Sequence, residues 1–277
     1  MKIAVTGGNG ELGRNLIPYL LEQGHTVVSI DRALPVNDML YLPELNFIAA
    51  DMRDFGQFVA SIRGCEAIIH LAAIRGPFNH PDHVVYGDNT LLSYNALSAA
   101  ATLGIKRVCM ASSINAIGGA FSRSPRYDYF PVDEKHPTYA EEPYGLSKWV
   151  LEQQGDAFAR RFEGMSIASL RLHMLIDTRE EAVQATAGMD IYSIRHLWAY
   201  TLFSEANRAC LLSLTADFTG HEVFFIAAPY TAASEPSLEL ARQYYPHTEI
   251  QGNLSNQMSF FDCAKAGRLL GWQHKED

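Results

Sequence analysis

A chain of 277 residues with 48% hydrophobic side chains can bury one large core and leave a small second lobe. Its formal net charge of -9, with Lys and Arg scattered and outnumbered, excludes a nucleic-acid surface or an anionic-membrane docking face, since both need clustered cations. No apolar run approaches the roughly 18 residues that span a bilayer, and MKIAVTGG enters a strand without a secretory leader, so the expectation is a cytoplasmic protein.

From the N-terminus, the apolar β-rich runs KIAVTG, TVVSID, NFIAAD, AIIHLAA, KRVCMASS and SIASLRL alternate with segments of helical period at 11–23, 54–62 and 84–103. Continuous rather than alternating hydrophobic runs are what strands carry when helices cover both faces of their sheet. Residues 1–172 therefore read as an α/β unit with a doubly wound parallel sheet. Another helix, in the stretch 141–162, opens just after Pro143, where a missing N–H costs nothing. Beyond Leu172 the pattern loosens into a loop or broken helix at 176–190, a helix near 196–214, the strand EVFFIAA and a closing helix near 262–270. Residues 173–277 are read as a small substrate-binding lobe over the carboxyl edge of the sheet, where ligands bind in such folds. Cys65, Cys109, Cys210 and Cys263 lie far apart with no CxxC spacing, so they read as buried reduced thiols, and no metal is expected.

The turn after the first strand, VTGGNGELG, places Gly7, Gly10 and Gly13 in a G-x-x-G-x-x-G spacing. Without Cβ atoms there, backbone N–H groups can approach a pyrophosphate at the start of a helix, as in the Rossmann fold. Asp31 ends the second strand eighteen residues past Gly13. Its carboxylate can accept from ribose hydroxyls and disfavours a 2′-phosphate, which points to NAD over NADP; the neighbouring Arg32 argues the other way. Asp51 and Met52 end the third strand, placed for an adenine edge. Tyr144 and Lys148 stand four apart, on one helical turn. A phenol of ordinary pKa about 10 needs about 3–4 kcal/mol of differential charge stabilisation to act as a base near neutrality. The expected source is the ammonium together with a positive nicotinamide ring. Ser112 and Ser113 end the fifth strand at the same edge, so a hydroxyl there can donate to the substrate oxygen whose proton Tyr144 exchanges.

TGGNGELG, HLAA at 70–73, Asn89 in GDNTLLSYNAL, ASSINAIG, PVDEKHP and PYGLSK occur in the order found in extended short-chain dehydrogenases/reductases, the NAD-dependent epimerase/dehydratase family. The chain resembles that family to about Leu172, and again weakly in SFFDCAKAGRLLGW. The resemblance implies Tyr144 as catalytic acid or base, Lys148 as the group that tunes it and holds the nicotinamide ribose, and Ser113 as the hydroxyl that orients the substrate. It implies cofactor contacts from Asn9, Glu11 and Leu12 beside the three glycines, from Asp31, Arg32, Asp51 and Met52, from Leu71, Ala72 and Ala73, and from Asn89 and Ser112. His70 is expected to pack under the cofactor. Relatives pair the helices at 84–103 and 144–162 in a homodimer. The segment between Ser113 and Tyr144 is long for the family, and its RSPRYDYFP reads as a substrate-facing flap. In length, and in SSINAIG and RLHM, the chain looks like compact uronate dehydrogenases; a carboxylated sugar wants a bidentate arginine, for which Arg75, Arg171 and Arg195 are the candidates. The reading is hydride transfer between NAD and a sugar or sugar-like hydroxyl, with a hexuronate among the possible substrates. Its alternatives are a sugar-nucleotide 4-epimerase or dehydratase that retains its NAD, and a non-catalytic NAD(P)-sensing protein.

Overall fold

A computed structural model describes residues 1–35, 42–187 and 191–275. Its first half runs β1 (Lys2–Thr6), α1 (Glu11–Glu22), β2 (Thr26–Asp31), β3 (Leu45–Ala49), α2 (Phe55–Ser61), β4 (Ala67–His70), α3 (Asp82–Leu103) and β5 (Arg107–Ser113). A 3₁₀ turn at Ile114–Ile117 leads through β6 (Tyr129–Phe130) to α4 (Pro143–Arg161) and β7 (Ser166–Leu172). Then come β8 (Leu175–Ile176), α5 (Arg179–Thr186), α6 (Ile191–Arg195), β9 (Thr201–Leu202), α7 (Phe203–Thr215), β10 (Gly220–Ile226), α8 (Ser237–Tyr244), β11 (Glu249–Ile250) and α9 (Ala264–Leu270).

Seven strands form a parallel sheet in the order β10-β7-β5-β4-β1-β2-β3. After β3 the chain returns across β1 to add β4 on its other side. That reversal opens a crevice beyond the carboxyl ends of β1 and β4. Thr6, fully buried at the end of β1, ties the two lips together: its Oγ1 bonds His70 Nδ1 at 2.9 Å and accepts from the N–H groups of Leu71 and Ala72 at 3.2 and 3.3 Å.

Successive strand residues feed opposite cores, as the pleat requires. Val5, Ile69, Cys109 and Leu170 pack with α1, α7 and α9, while Ala4, Ile68, Val108 and Ile167 pack with α2, α3 and α4. Both faces are thereby covered, which is why the strands read as unbroken apolar runs.

The structure corrects the reading of the second half in several places. The sheet is not confined to 1–172, because EVFFIAA joins it as β10, paired with β7 from Gly220↔Ser166 to Ile226↔Leu172. All seven residues of β7 are buried, so its outer edge needs a backbone partner that lies far along the chain. The helix expected at 196–214 is broken: Leu197 and Trp198 take φ of 53° and 49°, and α7 begins only at Phe203. Trp198 is fully buried among Phe130, Phe225 and Phe260, and that packing holds both residues in the left-handed region. Of the range 176–190, β8 and α5 are formed, and its last three residues lie outside the described residues. RSPRYDYFP is not a flap over the substrate. Tyr127 and Phe130 are buried in the core of the second half, and β6 is paired with β11. The four cysteines are free thiols. No helix among the described residues is long and apolar enough to cross a membrane.

Candidate active site

The crevice at the strand reversal is a cleft of about 570 Å³, lined from Asp31 and Asp51 past the glycine turn to Ser113, Tyr144 and Lys148. That size suits a small-molecule ligand. Gly7 has φ of 71°, and a Cβ there would stand 2.8 Å from the backbone nitrogen of Ala72. A Cβ on Gly13 would stand 2.6 Å from the carbonyl oxygens of Gly7 and Gly8. Gly10 caps α1 without a side-chain hydrogen bond, so its first N–H donors are left to a ligand. This cradle fits the pyrophosphate of a dinucleotide. Asp31 accepts from the N–H groups of Asn9 and Arg32 at 3.0 and 2.7 Å, which fixes its carboxylate at the end of β2.

The first turn of α4 is fixed from three sides. Glu142 caps it, accepting from the N–H groups of Tyr144 and Gly145 at 2.7 and 2.5 Å. Gly145 permits close approach to the 3₁₀ turn, since a Cβ there would meet the Asn115 carbonyl oxygen at 2.5 Å. One turn below Lys148, Glu152 is buried and accepts from Ser112 Oγ at 2.6 Å and from Arg171 at 2.9 and 2.8 Å. Ser113 Oγ accepts from Asn115 and lies close enough to the Tyr144 phenol to favour its ionised form.

Burial pushes the Tyr144 phenol up to about 12, against the lowering effect of the nearby Ser113 hydroxyl and the Arg75 cation. Burial also pulls the Lys148 ammonium down to about 8, opposed by Glu152. Lys148 by itself therefore does not draw the phenol towards neutrality. Its Nζ donates to the Ala111 carbonyl at 2.6 Å and lies 5.6 Å from the Tyr144 ring centroid, and desolvation of the phenol outweighs it. His70 is buried, and desolvation holds its imidazole down to about 3, hence neutral.

Gly7, Gly10, Glu11, Leu12, Gly13, Asp31, Arg32, Asp51, Met52, Leu71, Ala72, Ala73, Arg75, Ser112, Ser113, Tyr144 and Lys148 all face this one cleft. Four of the expected site residues stand outside its lining. Asn9 turns its amide to the Ala33 carbonyl, and Asn89 pins the loop after β4 through both backbone groups of Ile74, at 2.8 and 3.1 Å. Arg171 is buried and committed to Glu152, while Arg195 reaches the Arg123 carbonyl at 2.6 Å. Neither guanidinium lines the cleft. Within the lining Ser112 is committed to Glu152, which leaves Ser113 as the available hydroxyl.

Sequence reasoning missed Arg53, which lines the cleft and bridges Asp51 and Asp88 at 2.7 and 3.2 Å. It also missed Phe78, Phe121, His173, Tyr192 and His196, which line the far end. Only His173 carried a usable signal, since it directly follows the carboxyl end of β7.

A pH dependence follows from Lys148. Its folded-state pKa of about 8 lies below the ordinary 10.5, so between those values the unfolded chain holds the extra proton. The penalty for the buried charge is full below that window and is relieved as pH rises through it. Between about pH 7 and 9.5, wild-type stability is expected to improve over that of Lys148→Met by about 2 kcal/mol, measured by urea unfolding. A pH-independent difference between the two would contradict the assignment.

Comparison with known proteins agrees with this geometry. Residues 3–187 match the model of the NAD dependent epimerase/dehydratase family. A putative UDP-glucose 4-epimerase of Methanocaldococcus jannaschii is 34% identical over 182 residues, covering 65% of this chain and 57% of that protein. The dTDP-6-deoxy-L-talose 4-dehydrogenase (NAD(+)) of Aggregatibacter actinomycetemcomitans is 30% identical over 181 residues, 63% of this chain and 62% of that one. The match thus spans little more than half the length of these relatives. Among solved structures, a mutated uronate dehydrogenase superposes with a TM-score of 0.71 at 21% identity, covering 100% of this chain and 82% of that one, which is a likeness of fold. By its family match, its sheet order and its glycine cradle, the chain belongs to the NAD dependent epimerase/dehydratase family.

Proposed function

We propose that the protein is an NAD-dependent oxidoreductase that interconverts a carbinol and a carbonyl on a sugar or sugar-like molecule. One observation carries the reading: the Ser113 hydroxyl, the Tyr144 phenol and the Lys148 ammonium share a cleft with an uncapped, Cβ-free dinucleotide cradle. Bound there, NAD would supply the nicotinamide carbon that accepts or returns the hydride. The chain's own residues handle the proton. Ser113 holds the reacting oxygen by its hydroxyl, and Tyr144, as phenolate, would take the proton as the carbinol becomes a carbonyl, or, as phenol, give it back in reduction. Lys148, kept in place by the Ala111 carbonyl and the field of Glu152, favours the phenolate form that accepts the proton. The sugar-nucleotide names of the relatives and the uronate dehydrogenase fold support a carbohydrate-like substrate.

Asp31, held by two backbone N–H groups, favours NAD over NADP, and NAD is expected to bind about tenfold or more tightly, about 1.4 kcal/mol. Turnover by Tyr144→Phe is expected to fall by about 10² to 10⁴, with NAD affinity unchanged in calorimetry. The screen for substrate follows NADH absorbance with free aldoses, uronates and UDP-sugars. A variant that keeps more than about a tenth of the wild-type rate overturns the acid/base role, and equal NAD and NADP affinities overturn the role of Asp31. Tightly copurifying NAD without net turnover of free sugars would favour an epimerase.

We further propose a cytoplasmic homodimer that pairs α3 and α4. Tyr86, Leu91 and Tyr94 stand exposed on α3, apolar surface that a partner would cover. Light scattering at micromolar concentration is expected to give twice the chain mass, and a monomer would contradict the proposal.

A further inference from the structure

The end of the cleft beyond Ser113 is walled by rings. Phe78 and Phe121 meet edge to face with centroids 5.0 Å apart, and Phe121 lies 5.8 Å from Tyr144 and 6.3 Å from His196. His196 lies 4.0 Å from Tyr192 and 5.4 Å from His173. All six rings line the cleft, and they come from separate segments: the loop after β4, the loop after the 3₁₀ turn, α4, the end of β7, and α6 with the residue after it. Phe78 is 69% exposed and Tyr192 43%, so the rings at this mouth are left open to solvent. Apolar rings grouped around a cleft mouth are a place for a ligand to cover.

Charge in the cleft is matched elsewhere. Arg53 is held between Asp51 and Asp88, and Lys148 donates to the Ala111 carbonyl. Arg75 is paired with Glu11 at 2.6 Å, so an anion entering here would have to take it from that carboxylate. Among the described residues the ring-lined end presents no other cation, and the chain has no lysine or arginine outside them. A polar donor does wait there. His173 is buried, and its Nδ1 accepts from the Met174 N–H at 2.7 Å, which puts the proton of the neutral ring on Nε2. That Nε2 is buried and makes no hydrogen bond of normal geometry, with the His196 backbone acting on the ring as a weak acceptor that a better-placed oxygen would replace. Burial, reinforced by His196, holds the imidazole well below the usual histidine range, so the donor is neutral.

We infer that this end of the cleft takes an uncharged, ring-bearing carbinol, packed on Phe121 and Tyr192 with one oxygen accepting from His173 Nε2, and rejects a carboxylate or phosphate at that position. The inference rests on the carbinol reading above and narrows its substrate class. An uncharged ring can come from a free neutral sugar or from an alicyclic or aromatic alcohol, and the test separates them.

The probes are galactose, galacturonate, the methyl ester of galacturonate, UDP-glucose and 1-indanol. Each is assayed for NADH formation with the wild type, and for binding by calorimetry to NAD-loaded Tyr144→Phe. The expected result is a preference of at least about tenfold for the ester over galacturonate, and for the better of galactose and 1-indanol over UDP-glucose. Whichever of galactose and 1-indanol is preferred identifies the source. Anions used or bound as well as their neutral counterparts overturn the inference and leave the hydride-transfer reading standing. Binding of neutral compounds without any turnover does the reverse. Binding of no neutral compound also overturns the inference. In the variants, Phe121→Ala and His173→Ala are expected to raise the KM or Kd of the preferred neutral compound about tenfold with NAD affinity unchanged, and His173→Gln, which keeps a donor, to recover most of the loss. An unchanged KM and Kd in Phe121→Ala overturns the inference.

Discussion

A half-buried, desolvated phenol and a buried ammonium on one helical turn constrain the whole site. Desolvation works against the charged form of each, so Tyr144 is pushed up to about 12 and Lys148 down to about 8. Neither shift is repaired by the other residue, because desolvation outweighs the attraction between them. The surroundings answer this constraint. Glu142 fixes the start of α4, Gly145 lets it press against the turn that carries Asn115, and Glu152 supplies the negative charge that keeps the ammonium charged more easily. Arg171 matches Glu152 in turn, so the buried carboxylate does not stand alone.

The same logic explains why an arginine attractive for a carboxylated substrate was already spoken for. Arg171 sits at the strand end where ligands bind, yet its bidentate partner is buried one turn below Lys148 on α4. Its side chain completes the support of the reacting turn. With Arg195 turned to a backbone carbonyl and Arg75 matched by Glu11, the guanidinium chemistry that a uronate calls for is largely committed, and aromatic rings fill the space instead.

Much of this was legible in the sequence because it is local. Parallel strands buried on both faces announce themselves as continuous apolar runs, the glycine turn has a fixed spacing, and Tyr144 and Lys148 share a turn by simple periodicity. The illegible parts depend on tertiary packing. β10 reads like any other strand, but its place beside β7 is set by an exposed edge far back in the chain. The break before α7 rests on Leu197 and Trp198 in left-handed conformations, which no turn residue marks. The ring wall draws on separate loops, so no spacing connects Phe78, Phe121, His173 and Tyr192.

In the proposed reaction the fold holds Tyr144 protonated until the positive nicotinamide ring of NAD completes the site. This is tested most directly by titrating phenolate ultraviolet absorbance in wild type minus Tyr144→Phe, with and without saturating NAD. Without NAD the Tyr144 transition is expected near its elevated value of about 12. With NAD it is expected to move down by at least about 2 pH units, as an added positive charge beside a desolvated phenol requires. A transition that NAD does not move, or a phenolate already present at neutral pH in the free protein, would contradict the account.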